Sequence, residues 1–389
     1  MKRVLFLFNH DAPHQVAHLA GTAAAFAVAY PQMRTVIAHA GARIRQAVEQ
    51  FVTPDAAARI EWAELRLPPV AAAATRILDR VLPASRLYRL RANHALFASA
   101  DAVVSTERTC LRLKRHLPAD RMPRFVRMPH GAGDRGVTYH PDYRRFDLVL
   151  ASGRKTFNEL VRRGVAAERI RIVGYPKFDA IDISAKPRFF AGERPVVVYN
   201  PHFDPHLSSW YDHGPDLLRW FASDAGQGFN LIFAPHVMLF RKKLHVSPEY
   251  RVARMRPDIP PEARSADNIL LDTDGPRLFD MSYMLAADAY IGDVSSQIYE
   301  FLARPRPAFF LTGRGAEDKG HLFRRAGPVF DGLDDLTRAL PDWRRIGAVR
   351  REAQRDLFDE TFSREEQPAN LRAARAIADL VMRQDAGDA

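Results

Sequence analysis

Polar side chains that could do chemistry follow four of the predicted strands, each at the point where the strand ends. His130 follows the strand predicted at Phe125–Met128. The other candidates are Asn200 and His202 after Val196–Tyr199, His236 after Asn230–Ala234, and Asp293, Ser295 and Ser296 after Ala289–Ile291. An imidazole can accept or donate a proton near neutral pH, and serine hydroxyls at a helix start can hold phosphate oxygens together with the free N–H groups there. These residue types indicate chemistry at a phosphate or diphosphate group.

His130 lies in a glycine-rich segment, Arg127-Met-Pro-His-Gly-Ala-Gly-Asp-Arg-Gly136. Its glycines match the G-x-G-x-x-G spacing of dinucleotide-binding loops. That interpretation requires an apolar helix directly after the loop, whereas the sequence continues Val-Thr-Tyr-His-Pro141, so we reject it. Glycines beside His130 would let a substrate approach it closely, and the segment therefore predicts a general base.

A serine pair opens a predicted helix in the segment Ala289-Tyr-Ile-Gly-Asp-Val-Ser-Ser-Gln-Ile-Tyr-Glu-Phe301. The strand ends at Gly292-Asp293, and the helix is predicted over Ser295–Ala303. The serines could act only as helix caps, which contribute about 1 kcal/mol. They could equally bind a diphosphate, because a helix start offers unpaired N–H donors. The local pattern leaves both interpretations open.

Two histidines follow the first two predicted strands of the second half. The segment Phe233-Ala-Pro-His236 precedes Arg241, Lys242 and Lys243, and these cations with His236 could neutralise charge on a transferring phosphoryl group. Asn200 and His202 in Tyr199-Asn-Pro-His-Phe-Asp204 could line a donor site or simply form the turn. A structural role stays open for each of them.

Two further patterns do not indicate a metal or a covalent nucleophile. His10, His14 and His18 recur every four residues, but without H-E-x-x-H we interpret them as the lining of an acceptor pocket or a polar helix face. Ser152 and Lys155 match the S-x-x-K of penicillin-binding proteins, yet the K-T-G companion is missing. We therefore expect no metal and no cofactor.

These candidates need a scaffold that brings the ends of several strands together. Short β-branched or aromatic runs alternate with longer Ala/Arg/Leu stretches along the chain, which is typical of βα units and parallel sheets. Further strands are predicted at Val4–Phe8, Arg34–Ala38, Ala102–Ser105, Leu148–Ala151, Ile170–Val173, Ile269–Leu271 and Ala308–Leu311. Helices in the second half are predicted at Leu278–Ala287, Trp343–Phe358 and Asn370–Met382.

A loose segment at Ser184–Arg194 separates two similar α/β series. The length of 389 residues also favours two domains of roughly 100–200 residues each. We predict an α/β protein with two Rossmann-type domains at 1–186 and 187–365, and a C-terminal helix at 366–389 that could pack across them. Open parallel sheets bind ligands beyond the carboxyl ends of their strands, so we expect the chemistry in a cleft between the domains.

The chain carries 57 Lys and Arg against 46 Asp and Glu, a net charge of +11. Many of the cations recur in the stretch Arg76–Arg127, without zinc-finger spacing, a basic zipper or an aromatic RNA-binding signature. The pattern favours a solvated arginine-rich surface, or attraction to an anionic membrane surface or to phosphorylated substrates, over binding of nucleic acid. No apolar run reaches the roughly 18 residues of a membrane span. With a single cysteine, Cys110, we expect a cytoplasmic protein, at most peripheral at the inner face of the membrane.

Several of these segments, in this order, resemble the CDP-glycerol glycerophosphotransferase family, the polymerases and primases of teichoic-acid synthesis and their relatives. The family's Ala-Asp-x-x-Ile-Thr-Asp-Tyr-Ser-Ser-x-x-Phe-Asp-Phe is mirrored by Ala287-Asp-Ala-Tyr-Ile-Gly-Asp-Val-Ser-Ser-Gln-Ile-Tyr-Glu-Phe301. The shorter matches are His130-Gly131, Gly174-Tyr175-Pro176 followed by Asp179, Asn200-Pro201, and Pro235-His236. The resemblance runs from about Phe125 to Phe310.

The resemblance implies a GT-B-like fold, in which two Rossmann-type domains face a central cleft. It implies a reaction in which an acceptor hydroxyl attacks the β-phosphate of CDP-glycerol and expels CMP. By the resemblance, His130 in the first, acceptor domain activates that hydroxyl. In the second, nucleotide-donor domain His236, Ser295 and Ser296 hold the diphosphate, and Asp293 orients the loop or contacts the donor.

One departure from the family leaves the substrates open. The family loop continues His-Gly-Thr-Pro-Leu-Lys, whereas this chain has Ala132-Gly133-Asp134-Arg135 after its His-Gly. The implied partners are therefore a CDP-alditol donor and a glycan or lipid acceptor. The alternatives are a GT-B glycosyltransferase or epimerase that uses a UDP-sugar, and a non-catalytic protein that docks anionic lipid or polymer.

Overall fold

The computed structural model describes residues 1–10, 13–79, 83–133, 139–313 and 321–383 of the chain. The chain forms two compact units. Unit 1 comprises Met1–His130, Tyr139–Ala180 and Glu360–Ala389, and unit 2 comprises Gly131–Thr138 and Ile181–Asp359. Asp134, Arg135 and Gly136 of the glycine-rich segment lie outside the described residues.

Unit 1 is built on a parallel sheet, which has seven strands in the described residues. The strands are β1 Arg3–Phe8, β2 Arg34–His39, β3 Ile60–Glu64, β4 Ala102–Ser105, β5 Arg124–Arg127, β6 Leu148–Ala151 and β7 Ile170–Ile172. Their order is β3-β2-β1-β4-β5-β6-β7, and every neighbouring pair is parallel. The order reverses between β1 and β4, which makes this pair the point where loops of a Rossmann-like sheet diverge and leave room for a ligand.

Helices cover both faces of this sheet, which explains why its central strands are apolar runs rather than alternating patterns. The α-helices of the first segments are α1 Ala20–Ala29, α2 Ala42–Glu49, α3 Pro54–Ala57, α4 Pro69–Leu78, α5 Ala84–Ala92, α6 His94–Ala98 and α7 Arg154–Arg162. Along β1, Phe6 and Phe8 pack into one hydrophobic cluster and Leu5 and Leu7 into another on the opposite face. Phe6 meets Phe26 of α1 edge to face, with ring centroids 5.6 Å apart.

Unit 2 repeats this plan on a smaller scale. Its strands are β8 Val196–Asn200, β9 Asn230–Phe233, β10 Leu244–Ser247, β11 Val252–Met255, β12 Ile269–Leu271, β13 Ala289–Gly292, β14 Ala308–Leu311 and β15 Val329–Phe330. Within the described ranges, six of them form a parallel sheet in the order β12-β9-β8-β13-β14-β15, and β10 and β11 form a separate antiparallel hairpin. The order of the parallel sheet reverses between β8 and β13.

The helices of unit 2 are short, apart from the last one. They are α8 Gly214–Ala222, α9 Pro261–Ser265, α10 Ser282–Ala286, α11 Gln297–Phe301, α12 Leu333–Ala339 and α13 Trp343–Thr361, and α13 ends just after the chain returns to unit 1 at Glu360. Trp210, fully buried beside the sheet, stacks on Phe233 with ring centroids 4.8 Å apart. This aromatic core supports the loop that follows β8.

The C-terminal helix α14, Ala369–Met382, packs within unit 1. Its buried face, which includes Ile377 and Val381, joins the cluster formed by α1 and β1. Asp179 caps its first turn, since Oδ1 accepts from Ala369 N at 3.1 Å and Oδ2 from Asn370 N at 2.6 Å. The Gly-Tyr-Pro segment before Asp179 therefore has a structural role in holding this helix.

Gly174 in that segment cannot carry a side chain. Its φ of +86° lies in the left-handed region, and an added Cβ would come within 2.7 Å of the carbonyl oxygen of Ser363.

The predicted fold class, α/β with two Rossmann-type domains, is confirmed. In the part of the chain that the structure describes, no helix has both the length and the apolar composition needed to cross a bilayer.

Candidate functional site

In unit 1, His130 lies beyond the end of β5 and is exposed to solvent. Its Nδ1 is 3.1 Å from the carbonyl oxygen of Thr106, which follows β4. A carbonyl oxygen can only accept, so Nδ1 must carry the proton and donate it. In the neutral ring the lone pair then belongs to Nε2. The arrangement gives His130 the tautomer that can take a proton from a hydroxyl group.

The carbonyl that orients His130 is itself held in place. Thr106 is fully buried, and its hydroxyl donates to Oε1 of Gln15 at 3.0 Å. On the other side, the ring of His18 lies 6.4 Å from that of His130 and 5.3 Å from that of Tyr175. His130 thus lies beside fixed groups that follow several different strands.

The other histidines of the first segment lie before or in a 3₁₀ helix rather than in an α-helix. His10 is buried beside Phe8, with ring centroids 6.2 Å apart, and His18 is buried at the end of a 3₁₀ helix, Pro13–His18. The side chain of His14 lies outside the described residues. The ring of His18 lies beside that of His130.

Part of the arginine-rich stretch is used inside unit 1. Arg127 is buried at the end of β5, donates to Ser105 O at 3.4 Å and Met128 O at 3.3 Å, and lies over the ring of Tyr143. Arg86 pairs with the buried Glu107 at 2.7 Å. Arg80 and the side chain of Arg76 lie outside the described residues.

Two nucleophile types in unit 1 have structural positions. Burial raises the pKa of the Cys110 thiol to about 12, so this thiol stays protonated and unreactive near neutral pH. Ser152 donates from Oγ to Thr361 O at 3.0 Å and lies 3.3 Å from Thr156 Oγ1. Within the described ranges, no three His, Cys, Asp or Glu side chains are grouped so that they could hold a metal ion.

In unit 2, Asn200 ends β8 at the reversal of strand order and is fully buried. Its Nδ2 donates to Ala234 O at 2.6 Å and to Gln297 Oε1 at 2.8 Å, while Oδ1 accepts from Tyr290 OH at 3.4 Å. The amide therefore joins the ends of β8 and β9 to the start of α11. Asn200 thus helps to fix the loops at this end of the sheet.

Asp293 lies at the end of β13 and is also buried. Its Oδ1 accepts from His202 N at 2.8 Å, and Oδ2 accepts from Ser209 N at 2.7 Å and Ser209 Oγ at 2.8 Å. Burial raises the pKa of Asp293 to about 7, against these three donors, which act to lower it. The carboxyl group holds both ends of the loop that follows β8.

His202 and His236 lie next to each other, with ring centroids 5.1 Å apart. Nδ1 of His202 accepts from Asp204 N at 3.1 Å, and Nδ1 of His236 accepts from Met238 N at 3.2 Å. A backbone N–H can only donate, so in the neutral ring the proton is on Nε2 of each histidine. Both side chains can therefore donate from Nε2 to an anionic oxygen.

The serine pair divides into a buried and a half-buried residue. Ser295 is buried, and its Oγ accepts from Gln297 N at 3.4 Å. Ser296 is half-buried at the N-cap of α11 and makes no side-chain capping bond. Because α11 is only five residues long, its dipole contributes little, and an anion here would depend on side chains and loop amides.

Gly131, the residue after His130 in sequence, belongs to unit 2 and lies against Ser296. Its φ of +79° favours glycine. An added Cβ would be 3.2 Å from Ser296 Oγ. Within unit 2, Gly131 therefore lies beside the serine pair.

The three cations after His236 lie on the surface. Arg241, Lys242 and Lys243 are exposed, and Lys243 pairs with Asp258 at 2.6 Å. The rings beside that of His236 are instead those of Phe203 and His202, with centroids 4.7 and 5.1 Å away.

The partners that fix the candidate side chains were missed at the sequence level. Asp204 positions the His202 ring, accepts from His206 N at 3.0 Å and from Ser247 Oγ at 2.8 Å, and is buried. Its place in the segment Tyr199–Asp204 was a usable signal. Ser209, which binds Asp293, and Thr106, which binds His130 through a main-chain carbonyl, carry no signal of this kind.

Comparison with known proteins gives the fold. No model of a protein family matches the sequence, and no curated protein matches it. Among solved structures, the wall teichoic acid polymerase TagF soaked with CDPG aligns over 98% of this chain and 88% of its own, with 16% identity and a TM-score of 0.57.

Two further structures align over 99% of this chain and 97% of their own. A protein assigned as a UDP-N-acetylglucosamine 2-epimerase from Listeria monocytogenes is 12% identical with a TM-score of 0.59, and the S. aureus MnaA–UDP co-structure is 11% identical with a TM-score of 0.55. At these identities the likeness establishes the fold, which is of the GT-B type.

Proposed function

We propose that the protein is a transferase that moves glycerol phosphate, or a related alditol phosphate, from a CDP-activated donor to a hydroxyl of a glycan or lipid acceptor and releases CMP. Unit 1 activates the acceptor, and unit 2 binds the donor. The observation that carries the proposal is the hydrogen bond from His130 Nδ1 to Thr106 O at 3.1 Å, because it makes Nε2 the basic nitrogen of the neutral ring.

In the proposed step, the oxygen of the acceptor hydroxyl attacks the β-phosphorus of the donor. The bond from that phosphorus to the bridging oxygen breaks, CMP leaves with the electron pair, and Nε2 of His130 takes the hydroxyl proton. The new bond is a phosphodiester between the alditol and the acceptor.

Donor binding is assigned to the loops at the carboxyl end of the unit 2 sheet. His202 and His236 donate from Nε2 to the diphosphate oxygens, and Ser296 adds a hydroxyl whose oxygen is not used as a helix cap. Asn200, Asp293 and Ser295 keep these loops in place. Hydrogen-bond donors that are already in position before the reaction stabilise the charge that develops on the leaving oxygens.

Two observations support this assignment. The sequence segments that resemble the CDP-glycerol glycerophosphotransferase family include His130, His236 and the serine pair. The solved structures of similar fold include TagF soaked with CDPG. Because CDP-activated donors are soluble and cytoplasmic, the proposal also puts the protein in the cytoplasm.

The proposal is tested by thermal shift with CDP-glycerol, CDP-ribitol, CMP and UDP-sugars, followed by a CMP-release assay with the donor that binds. A ligand that binds the native state at 100 times its Kd stabilises it by about 2.7 kcal/mol, which gives a clear rise in melting temperature. We expect the rise with a CDP-alditol and with CMP. No shift with any cytidine nucleotide would contradict the proposal.

A second candidate is a GT-B glycosyltransferase or epimerase that uses a UDP-sugar. The observation in its favour is the fold shared with the S. aureus MnaA–UDP co-structure over 99% of this chain. The same screen separates the two candidates, since a shift with UDP-sugars and UDP but not with CDP-alditols supports this one.

A further inference from the structure

The hairpin of β10 and β11 exposes an apolar face. Leu244, Val246 and Met255 are 52%, 59% and 60% exposed. The register pairs Leu244 with Met255 and Val246 with Ala253, so the three side chains and the exposed Ala253 lie on one side of the ribbon. We call these four residues the hairpin face. Single exposed apolar side chains are routine on soluble proteins, whereas a contiguous apolar patch is typical of an interaction site.

The opposite side of the same ribbon is fixed to the body of unit 2. Ser247 donates to Asp204 Oδ2 at 2.8 Å, and Arg254 forms a two-point ion pair with Asp212 at 2.8 and 3.0 Å. His245, buried, bonds the carbonyl oxygens of Leu239 and Lys242 through Nε2 at 3.0 and 3.1 Å. Since strand residues alternate between faces, this anchoring is what directs the hairpin face to solvent.

Cations border the hairpin face. Arg241, Lys242 and Lys243 are exposed directly before β10, and Arg251 is exposed at the turn, with a φ of +54°. The acidic residues nearby are Glu249 in the turn and Asp258 after β11. Asp258 already pairs with Lys243 at 2.6 Å and with Arg256 at 3.5 Å. The border is therefore cationic on balance.

We propose that the hairpin face docks on an anionic lipid surface. Charge complementarity supports this occupant, because the cations attract anionic headgroups while the apolar side chains enter the headgroup boundary. A soluble polyanion would leave Leu244, Val246 and Met255 in water. A second copy of the chain would bring its own bordering cations against those of the first copy. The net charge of +11 on each chain would add to this repulsion.

The inference goes beyond the proposed function and does not depend on it. It does have a consequence for the donor site, since Ser247 on the anchored side binds Asp204, and the backbone N–H of Asp204 binds the His202 ring. The hairpin and a proposed donor-binding histidine are thus joined through one buried residue, Asp204.

The test is co-sedimentation of the full chain with phosphatidylcholine vesicles that contain or lack phosphatidylglycerol. We expect binding only to the anionic vesicles, and loss of binding at high salt because screening shortens the reach of the cations. Val246→Asp should lower the affinity by about tenfold. Replacing Arg241 and Lys242 together by Gln should cost about fivefold per cation.

The matched control is Val349→Asp on α13, because Val349 is 78% exposed and lies on another element. It should leave vesicle binding unchanged. Met255→Ser is the second variant if Val246→Asp fails to fold, as judged by its melting curve. Val246→Asp and Met255→Ser should both keep the thermal shift that the nucleotide donor causes in the wild type.

Equal vesicle binding by wild type, Val246→Asp and Met255→Ser would overturn the inference. So would binding to inorganic polyphosphate that matches vesicle binding and is insensitive to Val246→Asp, which would identify a soluble polyanion. A concentration-dependent dimer in lipid-free buffer that Val246→Asp abolishes would identify a second copy as the occupant and overturn it as well.

Discussion

The candidate histidines of the two units carry their proton on opposite ring nitrogens. In unit 1, His130 donates from Nδ1 to a carbonyl oxygen, so its Nε2 is the basic nitrogen. In unit 2, His202 and His236 each accept at Nδ1 from a backbone N–H, so their Nε2 carries the proton. The same side chain is prepared as a base in one unit and as a hydrogen-bond donor in the other. The backbone partner, not the residue type, sets the role.

The two arrangements also differ in how local they are. His202 and His236 bond amides only two residues further along the chain, at Asp204 and Met238. His130 bonds the carbonyl of Thr106, which follows a different strand. The Nε2-protonated tautomers of unit 2 are therefore determined by short segments of sequence. The Nδ1-protonated tautomer of His130 in unit 1 forms only once β4 and β5 have paired.

The largest expected effect comes from removing the base. His130→Ala should lower kcat by about 10²- to 10⁴-fold, the usual contribution of a general base, because the hydroxyl proton has no acceptor in the variant. Donor affinity, measured by thermal shift or calorimetry, should stay within about twofold of the wild type.

The matched control for this variant is His94→Ala. His94 is exposed and bonds Arg91 O through Nδ1 at 3.2 Å, so it has the tautomer of His130 without its surroundings. It should leave kcat unchanged. Normal turnover in His130→Ala would contradict the assignment of the base.

The next effect falls on donor binding. His236→Ala should weaken donor affinity by about 10- to 100-fold, since hydrogen bonds to charged groups contribute about 1.5–3 kcal/mol. The change should appear in KM more than in kcat. A variant with unchanged KM and a large fall in kcat would place His236 with the base rather than with the donor.

Asp293→Asn should destabilise unit 2 by about 1–3 kcal/mol, because an amide N–H would face groups that now donate to the carboxyl oxygens. Denaturant unfolding measures the loss, and Asp267→Asn, an exposed position, is the control and should cost less than about 0.5 kcal/mol. Equal unfolding curves for the two variants would show that Asp293 does not support the loop that follows β8.

Stability should also depend on pH through Asp293. An aspartate carboxyl in an unfolded chain has a pKa of about 3.9, and burial raises the pKa of Asp293 to about 7 in the folded protein. Between these values the folded protein holds a proton that the unfolded chain has released, so this stabilising contribution is largest below about pH 4 and is lost as the pH rises towards 7. The melting temperature of the wild type minus that of Asp293→Asn should therefore be larger at pH 5 than at pH 8, and a flat difference would contradict the raised pKa.

The smallest expected effect is at Gly131. Gly131→Ala should cost about 1–2 kcal/mol because its φ of +79° is unfavourable for any residue with a Cβ. Part of the cost comes from Ser296 Oγ, 3.2 Å from the added Cβ. The double variant with Ser296→Ala should recover some tenths of a kcal/mol, and a strictly additive loss would show that the two residues do not interact.

Most of the fold could be predicted because its strands are buried on both faces and appear as apolar runs. The strands that escaped prediction are the half-polar edge strand β3, the two-residue edge strand β15 and the hairpin of β10 and β11. An edge strand or a ribbon with one face in water has too few apolar residues to stand out. Their existence depends on contacts made by the finished sheet.

For the candidate site, residue types at strand ends could be predicted, and their partners could not. Asn200 was predicted as a donor-site residue, which stays a prediction, whereas the hydrogen bonds by which its amide joins the ends of β8 and β9 to α11 could not be predicted. Such a role depends on Gln297, far away in sequence. The helix α11 is also shorter than predicted, at Gln297–Phe301 rather than Ser295–Ala303, so its dipole contributes less.

The most direct test of the opposite tautomers in the two units is ¹⁵N NMR of the histidine side chains at pH 8, with signals assigned by single His→Gln variants. The account predicts that His130 is protonated on Nδ1, with Nε2 giving the signal of an unprotonated nitrogen, and that His202 and His236 are protonated on Nε2. The same tautomer at all three positions, or the reverse pattern, would contradict it.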